Sequence, residues 1–75
     1  MNTELSDLSK LAEIVKTERK AQNVTQVQLS QLGNVGIRFI RDIERGKTSL
    51  QFDKLMRVLD TLGIAVTLST PAAGE

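Results

Sequence analysis

The chain of 75 residues contains no cysteine, no histidine, no tryptophan and no tyrosine. Without cysteine or histidine it lacks the usual ligands of structural zinc and the thiols of disulfides, which commonly stabilise very short domains. The usual catalytic bases and nucleophiles are missing too, and no glycine-rich phosphate loop is present, so we expect no enzyme, no cofactor and no metal. A chain this short buries only about 60% of its unfolded surface, which leaves oligomerisation as a means of stabilisation.

Long apolar runs are also absent. None approaches the roughly 20 residues that a membrane span requires. The first ten residues, MNTELSDLSK, carry acidic side chains where a signal peptide carries basic ones. These features predict a cytoplasmic protein.

The net charge of +1 is small, but the positive charge is concentrated. Residues 36–49 contain only two acidic residues, Asp42 and Glu44, beside four basic ones. The basic residues are Arg38, Arg41, Arg45 and Lys47. Such a local excess of positive charge indicates a nucleic-acid partner.

Hydrophobic periodicity predicts four helices, at residues 8–22, 26–32, 36–45 and 51–62. An extra helical turn just before the last helix is an alternative, so the predicted fold class is all-α with four to five helices. Gly33 and Asn34 end the second helix, and one of these two must adopt a left-handed backbone conformation.

Residues 64–69 alternate apolar and polar side chains, which predicts a β-strand. No other segment has the pattern of a partner strand, and an unpaired strand leaves its backbone groups unsatisfied. We therefore expect the same strand of a second copy to pair with it, antiparallel about a two-fold axis. The alternative is a disordered tail. The expected dimer contacts are Ile64, Val66 and Leu68.

The sequence of residues 25–46 is TQVQLSQLGNVGIRFIRDIERG, a pattern typical of two short helices joined by a tight turn. Such a pair forms a helix-turn-helix, whose second helix enters the major groove of DNA. The first helix needs an apolar anchor and a small residue where the helices cross, and Leu29 and Ser30 meet these needs. The apolar residues that hold the second helix on the core are Val35, Ile40 and Ile43.

This pattern resembles the Xre or phage-repressor family, which is marked by Thr-Gln, a leucine, a turn, a valine and an Ile-Glu-Arg-Gly-Lys segment. Here these features are Thr25-Gln26, Leu29, Val35 and residues 43–47. The resemblance extends over residues 8–63. It implies one helix-turn-helix domain spanning residues 1–75, with a core at 8–63, a dimerisation strand at 64–69 and a tail at 70–75.

The strand Leu-Gly-Ile-Ala-Val-Thr-Leu after the last helix is similar to that of HipB-like antitoxins. This similarity implies a homodimeric transcriptional repressor that binds a palindromic double-stranded operator, autoregulates its operon and binds a HipA-like kinase toxin or its split components. It also implies a location in the bacterial cytoplasm, associated with the nucleoid. The alternative is an Xre-type regulator or protein-interaction module without a toxin partner.

The candidate base contacts lie at the start and on one face of the third helix. Arg38 and Arg41 are three residues apart and project from one face, and arginine can hold the O6 and N7 of guanine, although contact with phosphate is the alternative. Gly36 permits close backbone approach, and Ile37 can contact a thymine methyl group. The residues expected at phosphate are Thr25, Gln26, Arg45, Lys47 and Thr48.

The family resemblance also implies a structural ion pair between Arg19 in the first helix and Glu44 in the third. Asp42 is expected to pair with an arginine of its own helix, with a contact to cytosine as the alternative. Phe39 is expected in the core or at a protein interface rather than at DNA.

Overall fold

The computed structural model describes residues 2–4 and 9–68. Helices predominate, as predicted. The elements in chain order are β1 (Asn2–Glu4), α1 (Ser9–Ala21), α2 (Gln26–Leu32), α3 (Ile37–Glu44), α4 (Phe52–Thr61) and β2 (Ala65–Thr67). Residue 8 of the predicted core, residue 69 of the predicted strand and the predicted tail lie outside the described residues.

The helix count agrees with the four-helix prediction, and α2 has the predicted bounds. The alternative of an extra turn before α4 is wrong, because residues 47–51 are not helical. In the described part of the chain, no helix is long and apolar enough to cross a membrane.

One face of each helix contributes to a single core. Leu29 of α2 and Ile40 of α3 have no exposed surface, and burying a side chain of this kind contributes about 1.5–3 kcal/mol. The buried apolar side chains of the described residues are Leu11, Val15, Leu29, Ile40, Ile43, Leu55, Val58, Leu59, Leu62 and Ile64. The core therefore fixes the inner face of α3 and leaves its outer face at the surface.

All four helices end in the same way, with a left-handed residue after the last turn and two backbone hydrogen bonds that close a Schellman motif. After α2, the amide of Val35 donates to the carbonyl of Ser30 at 2.9 Å. The left-handed residues are Asn23, Asn34, Gly46 and Gly63.

The left-handed position of the helix-turn-helix is thus Asn34, with φ 54°. Gly33 has φ −85°, which any residue can adopt. A Cβ atom at Gly33 would lie 3.2 Å from the carbonyl oxygen of Leu29 and 3.6 Å from the hydroxyl of Thr61. A side chain at Gly33 would therefore press on the backbone of α2 itself, whereas α4 lies at ordinary van der Waals distance.

The prediction that no segment of the chain can pair with the C-terminal strand is wrong. β2 pairs with β1 in parallel, with Thr3 opposite Val66. The ladder uses backbone groups, so a polar three-residue strand such as β1 carries no alternating pattern that sequence reasoning could detect.

The predicted dimer residues also differ in where they lie. Ile64 is buried in the core of its own chain, and Val66 packs against that core. Leu68, which is 76% exposed, is the one of the three with a largely exposed side chain. The unpaired-strand argument for a dimer therefore does not hold.

Candidate nucleic-acid interface

The start of α2 is locked by a reciprocal pair of hydrogen bonds. The amide of Gln28 donates to the hydroxyl oxygen of Thr25 at 3.0 Å, and the amide of Thr25 donates to Oε1 of Gln28 at 2.9 Å. This is the capping box that the sequence predicts, and such a cap contributes typically about 1 kcal/mol. It fixes the backbone of the first turn of α2, which includes Gln26.

At the start of α3, the backbone of Gly36 is exposed to solvent. Gly36 is the N-cap residue, with φ −71° and ψ 152°, and it makes no side-chain hydrogen bond to the helix. No atom lies within 4 Å of the position that a Cβ would take there. Ile37 follows as a half-buried residue. The backbone at the start of α3 is therefore accessible to a ligand.

Along α3, side chains divide sharply between core and solvent. Ile40 and Ile43 are buried, and Phe39 is half-buried against the same core, as expected. Arg38 and Arg41 are exposed, and neither has an ion-pair partner among the residues that the structure describes. Two arginines thus project from the outer face of α3 with their guanidinium groups available.

A polar groove lies between the start of α2 and the outer face of α3, with a volume of about 280 Å³. Its lining residues are Gln26, Arg38, Arg41 and Arg45. The groove thus brings together two predicted base contacts and two predicted phosphate contacts. Three guanidinium groups without an acidic lining residue make it a site suited to an anionic, acceptor-rich ligand.

The other three predicted phosphate residues, Thr25, Lys47 and Thr48, do not line this groove. Lys47 and Thr48 lie at a smaller cleft of about 70 Å³, which is also lined by Leu11, Leu50 and Leu55. Both residues are exposed. If they contact phosphate, they do so beside the groove rather than within it.

The implied ion pair between Arg19 and Glu44 is present, and it is buried. Nε of Arg19 donates to Oε2 of Glu44 at 2.6 Å, and Nη2 donates to Oε1 at 3.0 Å. The remaining nitrogen, Nη1, donates to the carbonyl of Val24 at 2.8 Å. This bidentate pair joins α1 to α3.

Sequence reasoning missed a third member of this cluster. Nε2 of Gln26 donates to Oε1 of Glu44 at 3.1 Å, so the cluster joins α1, α2 and α3. The sequence predicts that Gln26 contacts phosphate, but in the structure its side-chain nitrogen donates to Glu44. The pattern contains both residues, but their pairing depends on how α2 packs beside α3.

The cluster also determines the ionisation state of Arg19 and Glu44. Burial pushes the pKa of Glu44 upward, but the hydrogen bonds from Arg19 and Gln26 and the charge of Arg19 outweigh this effect and hold the pKa below its ordinary value. The hydrogen bond to Glu44 raises the pKa of Arg19. Both partners therefore stay charged at neutral pH.

Asp42 forms a second, more open cluster on the same helix. Oδ1 of Asp42 accepts a hydrogen bond from Nη2 of Arg45, and Nζ of Lys47 lies 3.7 Å from Oδ2. The hydrogen bond from Arg45 is the main cause that lowers the pKa of Asp42, and the charges of Lys47 and Arg38 add to it. Of the two arginines that the sequence suggests for Asp42, the hydrogen-bonded one is Arg45.

No group of three or more side chains suited to hold a metal ion occurs within residues 2–4 and 9–68.

Comparisons with known proteins agree with this geometry. The model of the helix-turn-helix family matches residues 15–68. An uncharacterized HTH-type transcriptional regulator, y4mF of Sinorhizobium fredii (strain NBRC 101917 / NGR234), is 41% identical over 58 residues, which are 77% of this chain and 76% of that protein.

Solved structures share the fold. The wild-type restriction-modification controller protein C.Esp1396I is 28% identical, with a TM-score of 0.68 over 77% of this chain and 75% of its own. A chain of the HipA-HipB-O2-O3 complex superimposes with a TM-score of 0.79 over 92% of this chain and 97% of that one, and its 19% identity makes it a likeness of fold alone.

The family model spans more than half of the chain, and the S. fredii relative is similar over three quarters of both sequences. The predicted resemblance is therefore confirmed, and this chain belongs to the Xre-type helix-turn-helix family of transcriptional regulators.

Proposed function

We propose that this chain is a sequence-specific DNA-binding repressor, a single domain in which α3 is the recognition helix. The observation that carries the proposal is the groove lined by Gln26, Arg38, Arg41 and Arg45. The core holds the opposite face of α3, so these side chains can meet a duplex without disturbing the fold. A DNA backbone supplies the anionic acceptors that guanidinium groups bind best.

Within this site, Arg38 and Arg41 contact base edges, since neither is engaged by an acidic side chain of the described residues. A good bidentate contact of arginine with guanine contributes about 1–3 kcal/mol of discrimination against the wrong base. Gly36 and Ile37 bring the helix start close to the bases. The residues proposed for phosphate are Thr25, Gln26, Arg45, Lys47 and Thr48.

We also propose that the protein binds a palindromic operator as a homodimer, with two recognition helices about 34 Å apart in successive major grooves. Two observations favour a second copy. The chain is short for a stable isolated domain, and Leu68 remains largely exposed beside the small sheet. Ile64 is buried in the core of its own chain and Val66 packs against that core. Of the three predicted dimer contacts, Leu68 therefore has the side chain most accessible to a second copy.

A finer proposal is that the repressor is an antitoxin that regulates its own operon in the bacterial cytoplasm and binds a HipA-like kinase toxin. Its support is the fold shared with a chain of the HipA-HipB-O2-O3 complex. The second candidate is a regulator or interaction module without a toxin. Val27 and Leu32 are exposed on α2, a helix without charged residues, and such an apolar surface favours a protein partner. Co-purification with a kinase encoded beside this gene would support the antitoxin proposal.

The central experiment is selection of bound sequences from random duplex DNA, which we expect to yield a palindrome with half-sites one helical turn apart. On that duplex, Arg38→Ala and Arg41→Ala should each weaken binding roughly 5- to 150-fold, the fold-change equivalent to about 1–3 kcal/mol. Circular dichroism should show an intact fold. Lys10→Ala is the control, because it removes an exposed positive charge that does not line the groove. Unchanged binding by both arginine variants would contradict the proposal.

A further inference from the structure

Asp42 does not line the proposed DNA-binding groove, but it places a negative charge beside two residues proposed to contact phosphate. Its side chain is 12% exposed, whereas those of its two partners, Arg45 and Lys47, are 73% and 51% exposed. Both partners are on the surface and both are proposed to meet phosphate. The carboxylate that holds them is mostly covered by the protein.

The two arginines within α3, Arg38 and Arg41, are arranged differently from Arg45 and Lys47. Arg38 and Arg41 have no ion-pair partner in residues 9–68, so no salt bridge has to break before they contact a ligand. The four positive charges of residues 36–49 therefore fall into two pairs. One pair is held by Asp42, and the other is available for base contacts.

This division has a thermodynamic consequence. Binding to DNA of any sequence depends mainly on replacing the counterions of phosphate with lysine and arginine. A cation already paired with a carboxylate gains less from a phosphate, because it must exchange one oxyanion for another. Base contacts made by Arg38 and Arg41 break no ion pair, and only the longer-range attraction between Arg38 and Asp42 opposes them.

We propose that Asp42 limits the affinity of the protein for DNA, because its carboxylate competes with DNA phosphate for Arg45 and Lys47. The competition weakens by a similar factor the phosphate contacts that all duplexes share. Non-operator DNA, which has only those contacts, is then bound too weakly to retain the protein, whereas the operator keeps the base contacts of Arg38 and Arg41. The inference rests on the proposed function and adds the means by which that site limits binding to non-operator DNA.

Asp42→Asn tests the inference, because it removes the charge and keeps the shape. On a non-operator duplex of about 20 base pairs in about 0.1 M salt, we expect binding to tighten roughly three- to tenfold. The slope of log affinity against log salt should steepen by about 0.9 for each further phosphate neutralised. Binding to the selected palindrome should tighten by a similar factor, because the same phosphate contacts are made there.

Two controls separate this effect from a general change in charge. Asp53→Asn removes an exposed acidic charge in the first turn of α4 and should alter affinity by less than about twofold. In a background carrying Arg45→Gln and Lys47→Gln, Asp42→Asn should also have less than about a twofold effect, because no held cation remains to be released. An equal gain in that background, or no gain in the wild-type background, would overturn the inference.

A measurement on the unmodified protein covers the case in which Asp42→Asn does not fold. Carboxyl NMR titration should find the pKa of Asp42 low in the free protein, where Arg45, Lys47 and Arg38 face it. In the complex with the selected palindrome that pKa should rise, because Arg45 and Lys47 have moved to phosphate. A pKa that is unchanged or lower in the complex would contradict the competition.

These experiments also separate the two proposals. If the wild-type protein binds no duplex, the proposed function is wrong and the role of Asp42 is wrong with it. If the wild type binds the palindrome and Arg38→Ala weakens binding, while Asp42→Asn changes neither affinity nor salt slope, the repressor function stands and only the role of Asp42 is wrong.

Discussion

Glu44 and Asp42 both accept hydrogen bonds from arginine, and they lie two residues apart on α3, but the arginines differ in their surroundings. The side chains of Arg19 and Glu44 are 10% and 3% exposed, so that pair is inside the protein. Arg45 projects into solvent and only its acidic partner is covered. The first pair, with the hydrogen bond from Gln26, joins three helices, and the second holds cations at a surface that a ligand can reach.

The comparison teaches that the exposure of the cation decides what an ion pair can do. A buried pair that loses one member leaves an uncompensated charge in a poorly solvated position, which is costly. An exposed pair that loses one member leaves a charge that water solvates, so little stability is at risk. The exposed cation can exchange partners, which is the property that a phosphate-binding residue needs.

The largest expected effect is that of Glu44→Ala. It leaves the guanidinium of Arg19 buried and removes the acceptor for the Gln26 amide, so we expect the free energy of unfolding to fall by roughly 3–5 kcal/mol. Urea denaturation monitored by circular dichroism measures the loss. Glu13→Ala, at an exposed position of α1, is the control and should change stability little. A loss below about 1 kcal/mol for Glu44→Ala would show that the pair is not structural.

The second largest effect is expected at acidic pH, where protonation of Glu44 removes the stabilisation from the buried pair. The pKa of Glu44 in the folded protein lies below its ordinary value of 4.5, so the ionised carboxylate favours the folded state. This stabilisation is complete above pH 4.5 and is lost as the pH falls through the lower folded-state pKa. Urea midpoints across this range should fall more for the wild type than for Glu44→Gln. Parallel curves for the two proteins would contradict the assignment.

The smallest expected effect belongs to the exposed pair. Arg45→Ala should lower the free energy of unfolding by less than about 1 kcal/mol, because its side chain is largely in water. Arg19→Ala is the matched comparison, since the same residue type is removed from the buried pair, and its loss should be several times larger. Thermal unfolding of both variants measures the difference. If the two variants lost similar amounts of stability, the proposed difference between the buried and the exposed pair would be wrong.

Much of the helix-turn-helix could be predicted because its signals are local. Thr25 and Gln28 are three residues apart, and their reciprocal hydrogen bonds begin α2 where the sequence indicates. The exposed face of Arg38 and Arg41 follows from the helical period once Ile40 and Ile43 are assigned to the core. Each of these inferences needs only the spacing of side chains along one helix.

Other features could not be predicted from spacing. The partner of β2 is a polar segment at the opposite end of the described chain, and it pairs through backbone groups that every residue has. Gln26 turns its amide towards Glu44, 18 residues away, rather than only towards solvent. Both outcomes depend on which elements the core brings side by side.

The sequence by itself determined the four helices, the turn between α2 and α3 and the outward placement of two arginines, because capping, periodicity and left-handed turns are short-range effects. Only the tertiary structure decided that Gln26 joins the buried pair of Arg19 and Glu44, because that contact depends on how α2 packs beside α3. It also decided which carboxylate of α3 is buried with its cation and which keeps its cations at the surface, because burial depends on neighbours distant in the chain.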